Sequence, residues 1–216
     1  IMITSDLHYL SPEMTDYGNN FMKIISNADG KVTQYTPELT KAFVSQVIET
    51  APDALIISGD LTLNGGELSH KELVKQLSPI IDKGIEIFLI PGNHDVDGPA
   101  YRFVDNKVEK VYGTSGKKFA KIYEDMGYNQ ALSRDTKSLS YTAKLRDDIW
   151  LLMIDVNAND SMGTIRDGTI EWMENQLKQA KESGITIIGV SHQNVLTHNK
   201  VLEFGNEIKG AEKIIN

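Results

Sequence analysis

The apolar positions of this chain fall into short unbroken runs, separated by stretches in which they recur every three or four residues. Runs such as Leu55-Ile56-Ile57 and Ile185-Thr186-Ile187-Ile188 are what strands covered on both faces look like, because a strand with one wet face alternates. They predict strands over residues 1–5, 54–58, 85–90, 140–145, 150–155 and 185–191. Between them the spacing predicts helices. Thr36 reads as a cap with Pro37 at the first helical position, and Leu39, Phe43, Val47 and Ile48 form one apolar stripe. A second helix is expected over 67–83, with Leu73, Val74, Leu77, Ile80 and Ile81 inward. A third follows Asp167, with Ile170, Met173, Leu177 and Lys181 at helical spacing. Alternating strands and helices imply an α/β domain whose first part pairs in parallel.

Two stretches break the alternation. Residues 9–35 read as a polar loop, and residues 97–138 carry helix-like pieces at 104–111 and 118–126. Both follow strand ends, where open α/β sheets build their binding crevices, so both are expected to be insertions that shape a pocket. Ile1 sits in a strand already under way, and 207–216 read as a helix without a C-terminal Gly or Pro. One domain is expected over 1–216, truncated at its C-terminal end.

Composition narrows the function classes. Among 216 residues, 22 Lys and Arg stand against 30 Asp and Glu, a net charge of −8. That argues against a clamp for nucleic-acid backbones, which needs clustered cations, and against an anionic membrane surface. No run approaches the 18 or so apolar residues of a transmembrane segment. The absence of cysteine removes disulfides, thiolate metal sites and cysteine nucleophiles together. Location stays open between the cytoplasm and, with a leader ahead of Ile1, the cell envelope or exterior. The oligomeric state stays open too.

The candidate chemistry sits at strand ends. The first strand runs into Ser5-Asp6-Leu7-His8, the second into Ser58-Gly59-Asp60-Leu61-Thr62, the third into Pro91-Gly92-Asn93-His94-Asp95 and the last into Val190-Ser191-His192. A two-residue step along an extended segment would put Asp6 and His8 on one side. Asp60 has two oxygens and can bridge two ions. Asn93 offers an amide oxygen and His192 an imidazole nitrogen. Mixed oxygen and nitrogen donors without sulfur suit manganese, iron or zinc. Most pieces alone are weak, since Gly-Asp after a strand is usually a turn and a single histidine is usually a satisfied core residue. Gly92-Asn93-His94-Asp95 is more specific, because four such residues just after Ile87-Phe88-Leu89-Ile90 need a reason. Four such pieces at four strand ends are not a weak signal.

In this order the motifs resemble those of the calcineurin-like metallophosphoesterase superfamily: Asp-x-His, Gly-Asp, Gly-Asn-His-Asp, then a histidine. The family's last block, Gly-His-x-His, is absent; beyond His192 only His198 remains, within Thr197-His198-Asn199. The segments 5–12, 59–65 and 191–199 further resemble a bacterial branch that includes cyclic-nucleotide phosphodiesterases. The resemblance implies a two-sheet sandwich flanked by helices. It also implies two metal ions, one held by Asp6 and His8, one by Asn93 and His192, with Asp60 between them. Each ion would lack one histidine of the missing block. A hydroxide bridging the metals would hydrolyse a small phosphoester, a phosphodiester such as a cyclic nucleotide first of all. His94 would stand at the leaving oxygen, with Asp95 accepting from its other ring nitrogen. A phosphomonoesterase and a non-catalytic metal-binding module are the alternatives; a nuclease is disfavoured by the charge.

Other polar residues have plainer readings. His70 falls on an apolar stripe and is expected to pack. Asn64 serves a turn as readily as a substrate, and His198 and Arg166 are lesser candidates for the pocket. Trp150 and Trp172 are expected in the core, and Asp155, Asn157 and Asn159 in a polar turn.

Overall fold

Three parallel strands open the fold: β1 (Met2–Thr4), β2 (Ala54–Ile57) and β3 (Glu86–Leu89), side by side in that order. The computed structural model describes residues 1–27, 31–157, 162–196 and 207–211. β2 is buried at all four positions, as its unbroken apolar run requires. A second sheet carries β6 (Ala131–Arg134), β7 (Tyr141–Arg146), β8 (Ile149–Ile154) and β9 (Thr186–Ser191). It is antiparallel except where β8 meets β9. β4 (Ala100–Val104) and β5 (Lys107–Val111) form a separate hairpin.

The helices cover the outer faces. α2 (Thr36–Thr50) and α3 (Glu67–Ile81) bury Val44, Val47, Leu73, Leu77 and Ile80 in one core with Leu55, Ile57, Ile87 and Leu89 of the first sheet. The same core takes in Tyr141, Ala143, Leu151 and Met153 of the second sheet. Leu152 and Ile154, on the other face of β8, pack with Met173 of α5 (Thr169–Glu182). The layers therefore run helix, sheet, sheet, helix, as the α/β sandwich reading expects.

One side chain joins the sheets. The Tyr141 hydroxyl donates to the Leu89 carbonyl at 3.0 Å and accepts from the Leu89 N–H at 3.1 Å. It gets there because Gly127, at φ +116, has no Cβ; one placed there would run into the tyrosine ring.

Several details depart from the pattern-based reading. Residues 104–111 are half of the hairpin, not a helix: Asp105 and Asn106 both take positive φ, 50° and 58°, as a two-residue hairpin turn requires. The expected loop over 9–35 contains α1 (Asn19–Ser26), which buries Phe21 and Ile25 against Leu10, Met14 and Phe103. α4 (Gly116–Ile122) and a wide turn over Glu124–Tyr128 occupy the 118–126 piece. α2 starts at Thr36, whose hydroxyl accepts from Leu10 N–H and donates to the Thr33 carbonyl instead of capping. Its inward face is Thr36, Thr40, Val44 and Val47, leaving Leu39 exposed. Leu177 of α5 is exposed as well, with Gln176 buried instead. Glu207 bridges to Asn194, so the described part of 207–216 does not begin as a helix.

Candidate metal centre

The loops leaving β1, β2, β3 and β9 meet at one end of the sheets. There they enclose a cleft of about 300 Å³, lined by Asp6, His8, Asp60, Asn93, His94 and His192, with Lys31, Met162, Gln193 and Asn194 at its sides. The first loop is stitched to the second by backbone bonds: Asp6 N–H to Gly59 O, His8 N–H to Asp60 O and Tyr9 N–H to Leu61 O. The expected extended step from Asp6 to His8 is not formed. Asp6, His8 and Asp60 take positive φ of 57°, 43° and 50°, a region that costs a non-glycine residue about 1–2 kcal/mol. Such strain gathers where a site over-determines the backbone. The coiled path still brings the donors together, with His8 Nε2 3.5 Å from an Asp6 oxygen.

Asp60 is the centre of the cluster and is 4% exposed. Its Oδ2 lies 3.4 Å from His192 Nε2, 3.7 Å from His8 Nε2 and 3.9 Å from His94 Nε2. Its Oδ1 accepts the His94 N–H at 3.0 Å. Two glycines make this convergence possible. A Cβ on Gly59 would come within 2.7 Å of His192 Nδ1, and one on Gly92 would strike Asp60 Oδ1.

Backbone carbonyls orient the imidazoles. The ring nitrogen His192 Nδ1 is 3.0 Å from Ser58 O, and His94 Nδ1 is 2.7 Å from Leu63 O. A carbonyl only accepts, so each Nδ1 carries the proton and each Nε2 faces the cleft. This corrects the expected pairing of Asp95 with His94. The Asp95 carboxylate, fully buried, accepts from Leu61 N–H, Thr62 N–H, the Thr62 hydroxyl and Gly92 N–H at 2.8–3.0 Å. All its capacity is spent holding the Asp60 loop to the Asn93 loop, and the Leu63 carbonyl fixes the His94 tautomer.

Burial opposes ionisation of Asp60, but the His192 hydrogen bond and charge, with the His94 N–H, outweigh it and hold the carboxyl below its usual range. Burial likewise opposes charging of His192, and the Asp60 carboxylate overcomes it, raising the imidazole above its usual value. The cluster thus favours a cation among its donors.

The donor set fits metal. Ligand atoms about 2.0–2.2 Å from one ion stand roughly 3–3.5 Å apart, close to the spacings around Asp60. Two groups meet within 4.8 Å: Asp6 with Asp60 and His192, and His8 with Asp60 and His94. Asn93 Oδ1 lies 3.2 Å from His192 Nε2, and the Gln193 amide donates to it at 2.9 Å. His94, expected outside the ligand set, stands only slightly farther from Asp60 than His8 does, 3.9 Å against 3.7 Å. Its side chain is 35% exposed, against 11% for His8 and 10% for His192, so it faces the open side of the cleft.

The remaining candidates lie elsewhere. Asn64 donates to Tyr101 O and ties its loop to the hairpin. Arg166 lines a separate cavity with Lys137 and Asp155. Asp155 accepts from Leu139 and Asn157 N–H, as a polar turn does. Trp172 is half-buried and donates to Ser133, and Trp150 is half-buried in β8. Asn159 and His198 lie outside the described residues. Lys31, Met162 and Gln193 escaped the sequence reading; for Gln193 the available signal was its place directly after His192.

Residues 1–213 match the family model described as calcineurin-like phosphoesterase, and the chain belongs to that family. A protein of Ruthia magnifica subsp. Calyptogena magnifica named "Probable cyclic nucleotide phosphodiesterase" is 44% identical over 57 residues, 26% of this chain and 23% of that protein. A protein of the same name from Vesicomyosocius okutanii subsp. Calyptogena okutanii is 42% identical over 55 residues, 26% and 22% respectively. These matches span less than a quarter of either relative's length. The crystal structure of a dimetal phosphatase from Danio rerio shares the fold at a TM-score of 0.61 and 10% identity, covering 99% of this chain and 74% of that one. Among the described residues no helix is long and apolar enough to cross a membrane.

Proposed function

We propose that this cleft hydrolyses a small phosphoester with two divalent metal ions, and that the substrate is a phosphodiester such as a cyclic nucleotide. The observation that carries the reading is the convergence of three imidazole Nε2 atoms on one oxygen of the buried Asp60. In this reading Asp6 and His8, 3.5 Å apart, would serve one ion and Asn93 and His192, 3.2 Å apart, the other, although Asp6 also lies within reach of His192. Bound there, two divalent ions supply Lewis acidity toward the phosphoryl oxygens and make water acidic near neutral pH. Asp60, with two carboxylate oxygens, would hold both ions. Lys31 is the one Lys or Arg that lines the cleft among the described residues, and it offers a direct cation to a phosphate oxygen. His94 keeps its Nδ1 proton on Leu63 and presents Nε2 to the open side. Protonated there, it donates to the departing oxygen. No protein nucleophile is required, in keeping with a chain that has no cysteine. The phosphodiester choice is supported by the names of the Ruthia magnifica and Vesicomyosocius okutanii relatives.

The test is turnover of bis-p-nitrophenyl phosphate against p-nitrophenyl phosphate with Mn2+, before and after chelation. Chelator-sensitive hydrolysis of the diester is expected. Hydrolysis of the monoester alone would replace the diester by a phosphomonoester, and no hydrolysis with metal bound would leave a non-catalytic metal-binding protein.

A further inference from the structure

His70 lies on α3, behind the cleft and not in it. It is completely buried, and both ring nitrogens are engaged. Nε2 is 2.9 Å from the Asp95 carbonyl oxygen, and Nδ1 is 2.8 Å from the Tyr123 hydroxyl. The carbonyl can only accept, so Nε2 carries the ring proton, and the Tyr123 O–H must then donate to Nδ1. Burial lowers the His70 pKa from its usual value, which keeps this one-proton arrangement in place. A residue that only filled space would need no donor there. This donor meets the backbone of the residue that follows His94 and whose carboxylate clamps Leu61, Thr62 and Gly92. The clamp extends to the next turn, where Gly65 N–H donates to the Thr62 hydroxyl at 3.0 Å.

We propose that His70, held by Tyr123, is a positioning residue for the metal centre. It fixes the Asp95 backbone and, through the Asp95 carboxylate, sets Asp60 against Asn93 and His94. The inference rests on the reading of the cleft as a two-metal site. Partners one step behind metal ligands typically change metal affinity or activity by roughly 10–100-fold when removed; His70 acts through Asp95, a further step back, so the lower end, about 10-fold, is expected.

The test is calorimetric titration of Mn2+ and steady-state kinetics on the full chain carrying His70→Leu, His70→Asn or His70→Gln. Glutamine reaches about as far as Nε2 and can donate to the Asp95 carbonyl; asparagine stops a bond short. The Leu and Asn variants are expected to bind Mn2+ and turn over about 10-fold less well, with KM nearly unchanged. The Gln variant is expected to restore both. Should His70→Leu fail to fold, the Asn–Gln contrast decides. Folded variants that melt at lower temperature yet bind Mn2+ like the wild type would reduce His70 to a packing residue and overturn the proposal. A wild-type chain that binds no Mn2+ would instead overturn the metal-site reading itself.

Discussion

The two sheets hold their shares of the cleft in different ways. Loops from the parallel sheet bring Asp6, His8, Asp60, Asn93 and His94, and these loops are stitched together by backbone bonds and by the four bonds to Asp95. Among the described residues the mixed sheet sends a single donor, His192. It is held by His192 Nδ1 on Ser58 O and by Gln193 on Asn93. Five donors therefore form a half-site that one sheet keeps in register. The sixth arrives across the seam between sheets, and its distance from Asp60 depends on how the sheets sit. On the proposed two-metal reading, one half of the site is rigid and the other is held in place by the core.

The largest effect should come from the rigid half. Asp60→Ala is expected to abolish binding of both ions and all turnover, measured by metal content after gel filtration. His192→Ala is expected to remove one ion and leave the other. Equal loss of both ions in the two variants would erase the distinction between halves. Next comes His94→Ala, expected to lower kcat by roughly 10²–10⁴-fold while metal content stays near wild type. If metal is lost with it, His94 belongs among the ligands, where its 3.9 Å distance from Asp60 also allows it to stand.

The seam gives a smaller effect. Tyr141→Phe removes the hydroxyl that pairs Leu89, and two buried backbone groups lose their partner. A loss of about 1–3 kcal/mol is expected, read as a lower midpoint in urea at unchanged slope. If the seam governs His192, metal affinity should fall with it; unchanged affinity would show that the His192 anchors suffice alone. The smallest effect belongs to Glu67, whose carboxylate pairs with Lys118 and Lys71 and is held down to about 2. Its folded pKa is depressed, so its contribution is full above about 4.5 and fades as pH falls toward 2. The group is about a quarter exposed and both lysine partners are more than half exposed, so solvent screening keeps the contribution under about 1 kcal/mol. The melting temperature of Glu67→Gln should lie slightly below wild type at pH 7, and the gap should narrow steadily below pH 4.5.

Much of this architecture was legible in the sequence because it rests on side-chain identity and hydrophobic period. Strands β1, β2, β3, β7, β8 and β9 follow from apolar runs, and the donors follow from what ends them. The remainder was hidden for identifiable reasons. The acceptor for His94 is the backbone carbonyl of Leu63, and a carbonyl has no sequence signature. The hairpin was marked by Asp105-Asn106, but Val104 to Val111 also satisfies helical spacing, so the turn residues had to outweigh the period. α1 was masked by polar neighbours, although Phe21 and Ile25 stand four apart. His70 showed its apolar stripe and not the Asp95 carbonyl it meets, because that contact joins α3 to a loop 25 residues further on.

The hydroxyl of Tyr141 also bears on the fate of the unfolded and half-folded chain. β3 is an outer strand of its sheet, with the apolar sequence Ile87-Phe88-Leu89-Ile90, and exposed edges of that kind recruit foreign strands. By taking both the N–H and the C=O of Leu89, the tyrosine occupies the rung on which a second chain would begin to pair. Until the mixed sheet docks, that rung is open. Delayed docking should therefore show itself as aggregation before it shows itself as lost activity.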